Sequence, residues 1–424
     1  MRCLSSLLLP AAILSATARL AGADPTIGAW NDVLVEYTKA QKVDSNTATR
    51  LAAILHSAQH QAVQEAVARA GPDDQAAQVQ AAAAAGRTAL LALIPSANAS
   101  VNALYDQQMQ GGAPRSQPLQ DRAAELATTL VEYRATDGAN AVPPPFRGSE
   151  EAGKWRPTPP EFKPMLTPQW GNIRPWSMTR GDQFRIPPPP ALDSEAFRRD
   201  YLEVQSVGNQ TSAARTPAQT EIGTFWAPSV ELFWYQALKQ ATANLSLPDT
   251  ARAYAATATA MADARIAAFN NKNLYQLWRP TSAIPQGNGV GLPADPTFQS
   301  LIPTPNHPEY PEGHATTAAA AATVLQGING GKDAFDFTLT SDKAPGKTRA
   351  YGSFSDAAKE TMESRTLSGV HFRFSGEASL PLGEKVGQAA LNMFGYGDGP
   401  APAPPAAGGK RLRRQLGRVD VDWM

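Results

Sequence analysis

Along most of the chain, apolar residues recur at three- and four-residue spacing between polar ones. Segments 45–70, 74–95, 118–135, 228–245, 248–272, 314–328 and 354–370 are also rich in Ala, Leu, Gln and Glu, so each predicts a helix. Period-2 runs of Val, Ile and Thr are nearly absent, which makes the expected fold class all-α. Residues 143–190 break the pattern with 13 prolines, among them Pro143-Pro144-Pro145 and Pro187-Pro188-Pro189-Pro190, together with Trp155, Trp170 and Trp176. Proline stops helix propagation and three tryptophans argue for burial, so this stretch predicts an extended arm wrapped across the helices.

The two ends differ from the middle. Residues 1–23 combine Arg2, an apolar run from Leu4 to Leu14 and the small-residue ending Ala21-Gly22-Ala23, the pattern of a secretory signal peptide cut before Asp24. The run is too short to span a bilayer, and no later segment approaches 18 uninterrupted apolar residues. The expectation is a secreted or extracytoplasmic protein with no transmembrane segment in its mature chain. Residues 399–424 read as a Pro/Ala/Gly-rich flexible tail ending in the basic cluster KRLRRQLGR, which leaves 24–398 as one helical domain. Three Asn-x-Ser/Thr sequons begin at Asn98, Asn209 and Asn244.

Composition narrows the chemistry. With 38 Lys+Arg against 38 Asp+Glu, the formal net charge is zero, and nothing draws nucleic acid or an anionic membrane over long range. A small substrate is the better expectation. The single cysteine, Cys3, lies in the signal segment, so cysteine-based zinc or iron–sulfur sites lack ligands. Any metal or oxyanion chemistry must use His, Arg, Lys and carboxylates.

Three segments concentrate such groups. In the first, Lys272 and Arg279-Pro280 lie seven residues apart; on a persistent helix that is two turns, and both cations face one way as an oxyanion clamp. A solvated basic face explains such a pair equally well in isolation. The second is Pro305-Asn306-His307-Pro308-Glu309-Tyr310-Pro311-Glu312-Gly313-His314, entering an Ala-rich helix. It places His314 in a first turn, where free N–H groups and the helix dipole favour an anion, and Gly313 permits close approach. There His314 could exchange protons with the anion or simply cap the helix. The third is Ser364-Arg365 followed by His371, with Arg365 as another oxyanion donor and His371 as nucleophile or ligand. On one ideal helix, Arg365 and His371 are roughly 120° apart and meet only through a bend or side-chain length. His56 and His60, four apart, have metal-compatible spacing but no third ligand nearby, so they read as helix packing.

Taken in order, Lys-x6-Arg-Pro, Pro-x-Gly-His and Ser-Arg-x5-His resemble the vanadium-dependent haloperoxidases and the phosphatidic acid phosphatase type 2 superfamily that shares their site. ADARIAAFNNKNLYQLWRPTSAI, NHPEYPEGHAT and SRTLSGVHFRF look like contexts found in secreted haloperoxidase-like proteins, as do RLAAILHSAQHQAV and the Pro/Trp stretch. The resemblance implies a fold of helical bundles. It also implies vanadate, or phosphate in its place, bound by Lys272, Arg279, Arg365 and the main chain at Gly313. His371 would ligate vanadium and His314 would act as acid–base. The implied activity is halide oxidation by hydrogen peroxide, delivering an oxidised halogen to a small organic substrate. His307 stands where bromide-oxidising members often carry His, so bromide or iodide is the expected halide. The same site in the phosphatases hydrolyses phosphomonoesters through a phosphohistidine. Glu312 departs from the pattern, which has Ser there. Three nearby cations predict an ionised Glu312 paired with Lys272 or an arginine, and hence weakened oxyanion binding; it could instead turn outward at the helix start, or mark a site that no longer catalyses.

Overall fold

The computed structural model describes residues 25–110, 116–287, 289 and 291–397. The proposed signal peptide and the tail from 399 lie outside the described residues. Five helices open the fold: α1 (Thr26–Ala40), α2 (Ser45–Ala70), α3 (Gln75–Leu93), α4 (Asn98–Met109) and α5 (Gln117–Ala135). Asp44 caps α2 by accepting from the Asn46 and Thr47 amides, so the helix begins where its apolar period begins. Their inward faces, largely Ala with Leu, Ile and Val, build one apolar cluster with Trp30, Phe225, Trp226 and Trp234.

The arm follows. Its only regular turn is a short 3-10 segment, Trp170–Asn172, and Trp155 and Trp170 are buried. Four hydrogen bonds to the Asp263 carboxylate fix it: from the amides of Trp176 (2.9 Å), Ser177 (2.7 Å) and Met178 (3.2 Å), and from the Ser177 hydroxyl (2.7 Å). The Trp155 amide also donates to Gln276 O (2.6 Å) and the Leu166 amide to Asn306 O (2.8 Å). The wrapped arm expected from proline and tryptophan therefore forms, and it braces the two loops from which the candidate site is built.

Beyond it come α6 (Glu195–Val207), α7 (Pro217–Phe225), α8 (Glu231–Ala241), α9 (Leu247–Tyr275), α10 (Pro280–Gln286) and α11 (Gly313–Ile328). A hairpin, β1 (Ala334–Thr340) and β2 (Thr348–Ser353), precedes α12 (Phe354–Leu367) and α13 (Arg373–Met393). Helix α9 is buried on every side, as a helix with apolar residues around its whole circumference must be. It separates the first apolar cluster from a second, formed by the arm, α6, α11 and α13.

The expected all-α class holds with this one hairpin added: Phe335, Phe337 and Leu339 alternate with polar residues, and Gln236 and Gln240 of α8 hydrogen-bond to its backbone at Thr338 and Thr340. Two helix expectations over the motifs also change. Helix α9 ends at Tyr275, with Gln276 in the left-handed region at φ 52°, and Arg279 sits in extended backbone ahead of α10. Lys272 and Arg279 therefore do not share a helix face. Likewise α12 stops at Leu367, because Gly369 takes φ 76° and any Cβ there would strike Gly208 O. Arg365 ends one helix and His371 lies just before the next, so the angular mismatch on a single helix disappears.

Candidate oxyanion site

Three chain turns converge on the N-terminus of α11. Glu312 is its N-cap, Gly313 its first residue and His314 its second. Segment 305–312 runs in beside the end of α9, and the turn between α12 and α13 brings His371 opposite. Serines of α13 clip these parts together: Ser375 Oγ donates to Glu309 (2.6 Å) and Ser379 Oγ accepts from the Glu312 amide (2.8 Å).

His371 is buried and held at both ring nitrogens. Nδ1 faces Glu309 Oε1 at 2.9 Å, and Nε2 lies 2.9 Å from Arg279 Nη1. Since a guanidinium only donates, Nε2 carries the lone pair and the ring proton sits on Nδ1, donated to the carboxylate. Burial, then Arg279 and Lys272, hold His371 well below the usual imidazole range, so it is neutral. Glu309 also accepts from the Phe372 amide (2.9 Å). Burial raises its carboxyl to about 7 despite these donors and the nearby cations. Glu309 is the orienting residue that motif reading passed over; it stood in plain view between His307 and Glu312, but nothing in sequence marks its contact with a residue 62 positions away.

The cations divide into two kinds. The Lys272 ammonium donates to Pro308 O (2.6 Å), Glu309 O (2.9 Å) and, more closely still, Pro311 O. Burial and Arg279 push its pKa well down, yet three carbonyl acceptors require the protonated form. Lys272 thus frames the loop that leads to Gly313. Arg279 donates Nε to His307 O (2.9 Å), Nη1 to Val370 O (2.7 Å) and His371, and Nη2 to His307 Nδ1 (3.0 Å). Arg365, by contrast, is buried with Nε and Nη1 lacking any hydrogen-bond partner. Burial lowers Arg279 to about 9 and Arg365 to about 10, and both remain charged at neutral pH.

His307 accepts from Arg279 at Nδ1, and its ring stands 5.2 Å from Phe269. It therefore lies directly beside the Arg279 guanidinium. His314 is half-buried and places Nε2 3.1 Å from Pro228 O, which assigns the proton to Nε2 and leaves Nδ1 as acceptor. Burial, followed by Arg365 and Arg265, holds it well below the usual range.

Glu312 overturns both expectations for it. It is fully buried rather than turned outward, and no ion pair joins it to Lys272 or an arginine among the described residues. Its Oε1 accepts from the Ala315 amide (3.2 Å), while Oε2 has no partner. Burial outweighs the attraction of Arg365 and raises its carboxyl to about 8, so near neutral pH it is mostly protonated. A neutral carboxyl can donate, as a serine hydroxyl would. His56 and His60 stay away from the site: His56 is fixed between Gln59 and Asn31 and His60 packs on Phe394, as expected of helix packing.

The donor set fits a tetrahedral or five-coordinate oxyanion. Guanidiniums cannot ligate a bare cation, idle buried N–H groups on Arg365 need an acceptor, and the His371 Nε2 lone pair is directed at the neighbouring Arg279 guanidinium. Comparison with known proteins agrees. Residues 252–396 match the model of the VCPO second helical-bundle domain. A vanadium-dependent bromoperoxidase from Ascophyllum nodosum is 33% identical over 101 residues, which is 21% of this chain and only 18% of that protein. In structure, a bacterial vanadium-dependent iodoperoxidase superposes with a TM-score of 0.75 at 25% identity, covering 87% of this chain and 96% of that one. A holo-type bacterial vanadium-dependent chloroperoxidase shares the fold at a TM-score of 0.68 and 16% identity, over 83% and 92% of the two chains. The chain resembles the vanadium haloperoxidases across its described fold, and residues 252–396 match the model of their second helical-bundle domain.

Proposed function

We propose that this chain is a vanadate-dependent haloperoxidase that uses hydrogen peroxide to oxidise bromide or iodide outside the cytoplasm. The observation that carries this reading is the buried His371 ring, oriented by Glu309 at Nδ1 with Nε2 against Arg279, together with the unpartnered N–H groups of Arg365, whose charge acts on that ring. His307 beside Arg279, and the likeness to an iodoperoxidase, support the heavier halides. The export pattern at residues 1–23 and the absence of cysteine after Cys3 suit an oxidant that attacks thiols.

His371, Arg365, Arg279 and the start of α11 at Gly313 would hold vanadate. When bound, vanadate supplies a Lewis-acidic centre at which peroxide is activated for two-electron oxidation of halide. Around it the protein performs four tasks. Arg365 and Arg279 neutralise oxyanion charge in a site of low polarity, where each charge counts more than in water. Glu309 keeps His371 in one tautomer and one orientation. His314 accepts or returns a proton at Nδ1. Lys272 holds the 308–311 backbone in place, so that the α11 amides stay aimed at the anion.

The same Nε2 could attack phosphorus, so the test must separate the two chemistries. Purified protein lacking residues 1–23 is assayed with and without vanadate for halide-dependent oxidation by peroxide and for phosphomonoester hydrolysis. Oxidation that appears with vanadate, prefers bromide or iodide over chloride and is blocked by phosphate is expected. Hydrolysis without peroxidase activity would replace this reading with the phosphatase one, and the loss of both would sink it.

A further inference from the structure

One buried guanidinium near the pocket has no place in the three motifs. Arg265 lies seven residues before Lys272 on α9, two helical turns away on the same face. It is 4% exposed, and its Nε and Nη2 have no hydrogen-bond partner. Its Nη1 lies 3.0 Å from where a Cβ on Gly313 would stand, so the guanidinium rests directly against the first residue of α11. The absence of a side chain at Gly313 makes that approach possible. Only Glu231, at 3.6 Å between Nη2 and Oε2, offers an ion pair among the described residues, and that separation is too long for a hydrogen bond. Glu231 Oε2 is itself without a partner.

Leaving two buried N–H groups on a charged side chain idle is costly unless something else satisfies them. The nitrogen nearest the α11 N-terminus is Nη1, beside Gly313, so an oxyanion there would engage the fork through Nη1 and draw the unpartnered guanidinium towards it. Arg265 also faces the same titratable groups as that anion: it acts electrostatically on His314, Lys272, His307 and Arg365. The neighbouring Glu312 makes the need concrete, because one of its oxygens is spent as the helix cap where a hydroxyl donor would otherwise stand.

We propose that Arg265 is a direct oxyanion-binding residue, a further guanidinium that grips the anion from the Gly313 side, with Glu231 as its neighbouring carboxylate. This rests on the oxyanion pocket described above, and the test keeps the two claims apart. Inorganic phosphate binding is measured by calorimetry, with phosphate-dependent thermal stabilisation as a second readout, on the parent chain and on Arg265→Met, Arg265→Lys and Glu231→Gln. Arg265→Met should weaken phosphate binding about 10- to 100-fold, the effect of losing charge-assisted hydrogen bonds. Arg265→Lys, which keeps the charge but not the planar fork, should fall between. Glu231→Gln should bind phosphate as tightly as the parent or more tightly, since it frees Arg265.

If Arg265→Met binds phosphate like the parent, or if Glu231→Gln loses as much affinity as Arg265→Met, the pair merely ties α8 to α9 and the proposal fails while the pocket stands. Should Arg265→Met not fold, Arg265→Lys decides: weakened phosphate binding supports the proposal and binding equal to the parent overturns it. A parent chain that binds neither phosphate nor vanadate would remove the pocket and this residue's role together.

Discussion

His56 and His371 are both buried histidines with hydrogen bonds at both ring nitrogens, yet they sit in opposite surroundings. Around His56 stand neutral groups: Gln59 at 3.1 Å, Asn31 at 3.1 Å and the rings of Tyr235 and Tyr254. Around His371 stand Glu309 and Arg279, with Lys272 and Arg365 acting on it from nearby. Burial depresses both, His56 to about 3 and His371 well below its ordinary value. A depressed imidazole is therefore not what marks the site. The mark is the combination of a carboxylate that fixes one nitrogen, a guanidinium at the other, and further buried cations acting on the ring.

The sharpest way to break this contrast is to remove the lone pair. His371→Ala should lower vanadate-dependent halide oxidation by about a thousand-fold or more, as loss of the sole protein ligand or nucleophile does. Arg365 and the α11 amides remain, so phosphate binding measured by calorimetry should weaken far less. Equal losses in both would mean that His371 holds the pocket together instead of supplying a lone pair. Next in size is the orienting carboxylate. Glu309→Gln can still accept from the Phe372 amide, but it no longer offers His371 a charged acceptor. Activity should fall about 10- to 100-fold, the usual effect of losing such a partner, and the fold, followed by thermal unfolding, should survive.

Much of this was legible in the chain, and the failures have physical causes. Helix α9 and the buried arm followed from periodicity, proline and tryptophan. The motif residues Lys272, Arg279, His307, Glu312, Gly313, His314, Arg365 and His371 do converge. Sequence spacing placed Lys272 and Arg279 on one helix, and the left-handed turn at Gln276 undid that. Helix α13 was hidden by Gly376, Gly383, Gly387 and Pro381, residues that propensity counts against a helix. Glu309 and Arg265 acquire meaning only from partners brought close by folding, since an arginine within an alanine-rich helix reads as a solvated face. Glu312 was misjudged because counting nearby cations left out the cost of burying a charge.

Glu312 also sharpens the comparison, through pH. With its carboxyl at about 8, it is a donor below that value and a repelling charge above it. The phosphate affinity of the parent, divided by that of Glu312→Gln at each pH so that the anion's own titration cancels, should fall several-fold between pH 7 and pH 9. Glu312→Ser should gain little at pH 6 and more at pH 9. A ratio that stays flat across this range would show that Glu312 does not face the anion. Stability carries the same sign: because the folded pKa lies above the unfolded one, this group's contribution is full below about 4.5 and is lost as pH rises through about 8.

The smallest effect on the pocket is expected from the other histidine. His56→Leu leaves Asn31 and Gln59 without their shared partner and should destabilise the fold by about 1–3 kcal/mol at pH 7, the cost of unpaired buried amides. Phosphate affinity should not change, since no charge or donor of the site is touched. The pH dependence runs opposite to that of Glu312. His56 has a folded pKa of about 3 against an ordinary 6.5, so its stabilising contribution is complete above 6.5 and drains away as the pH falls towards 3. Leucine does not titrate, so the gap in stability between parent and variant, measured by denaturant unfolding, should narrow as the pH drops through that window. A gap that stays constant would place the proton elsewhere, and a loss of phosphate binding in His56→Leu would join the two histidine environments that the structure separates.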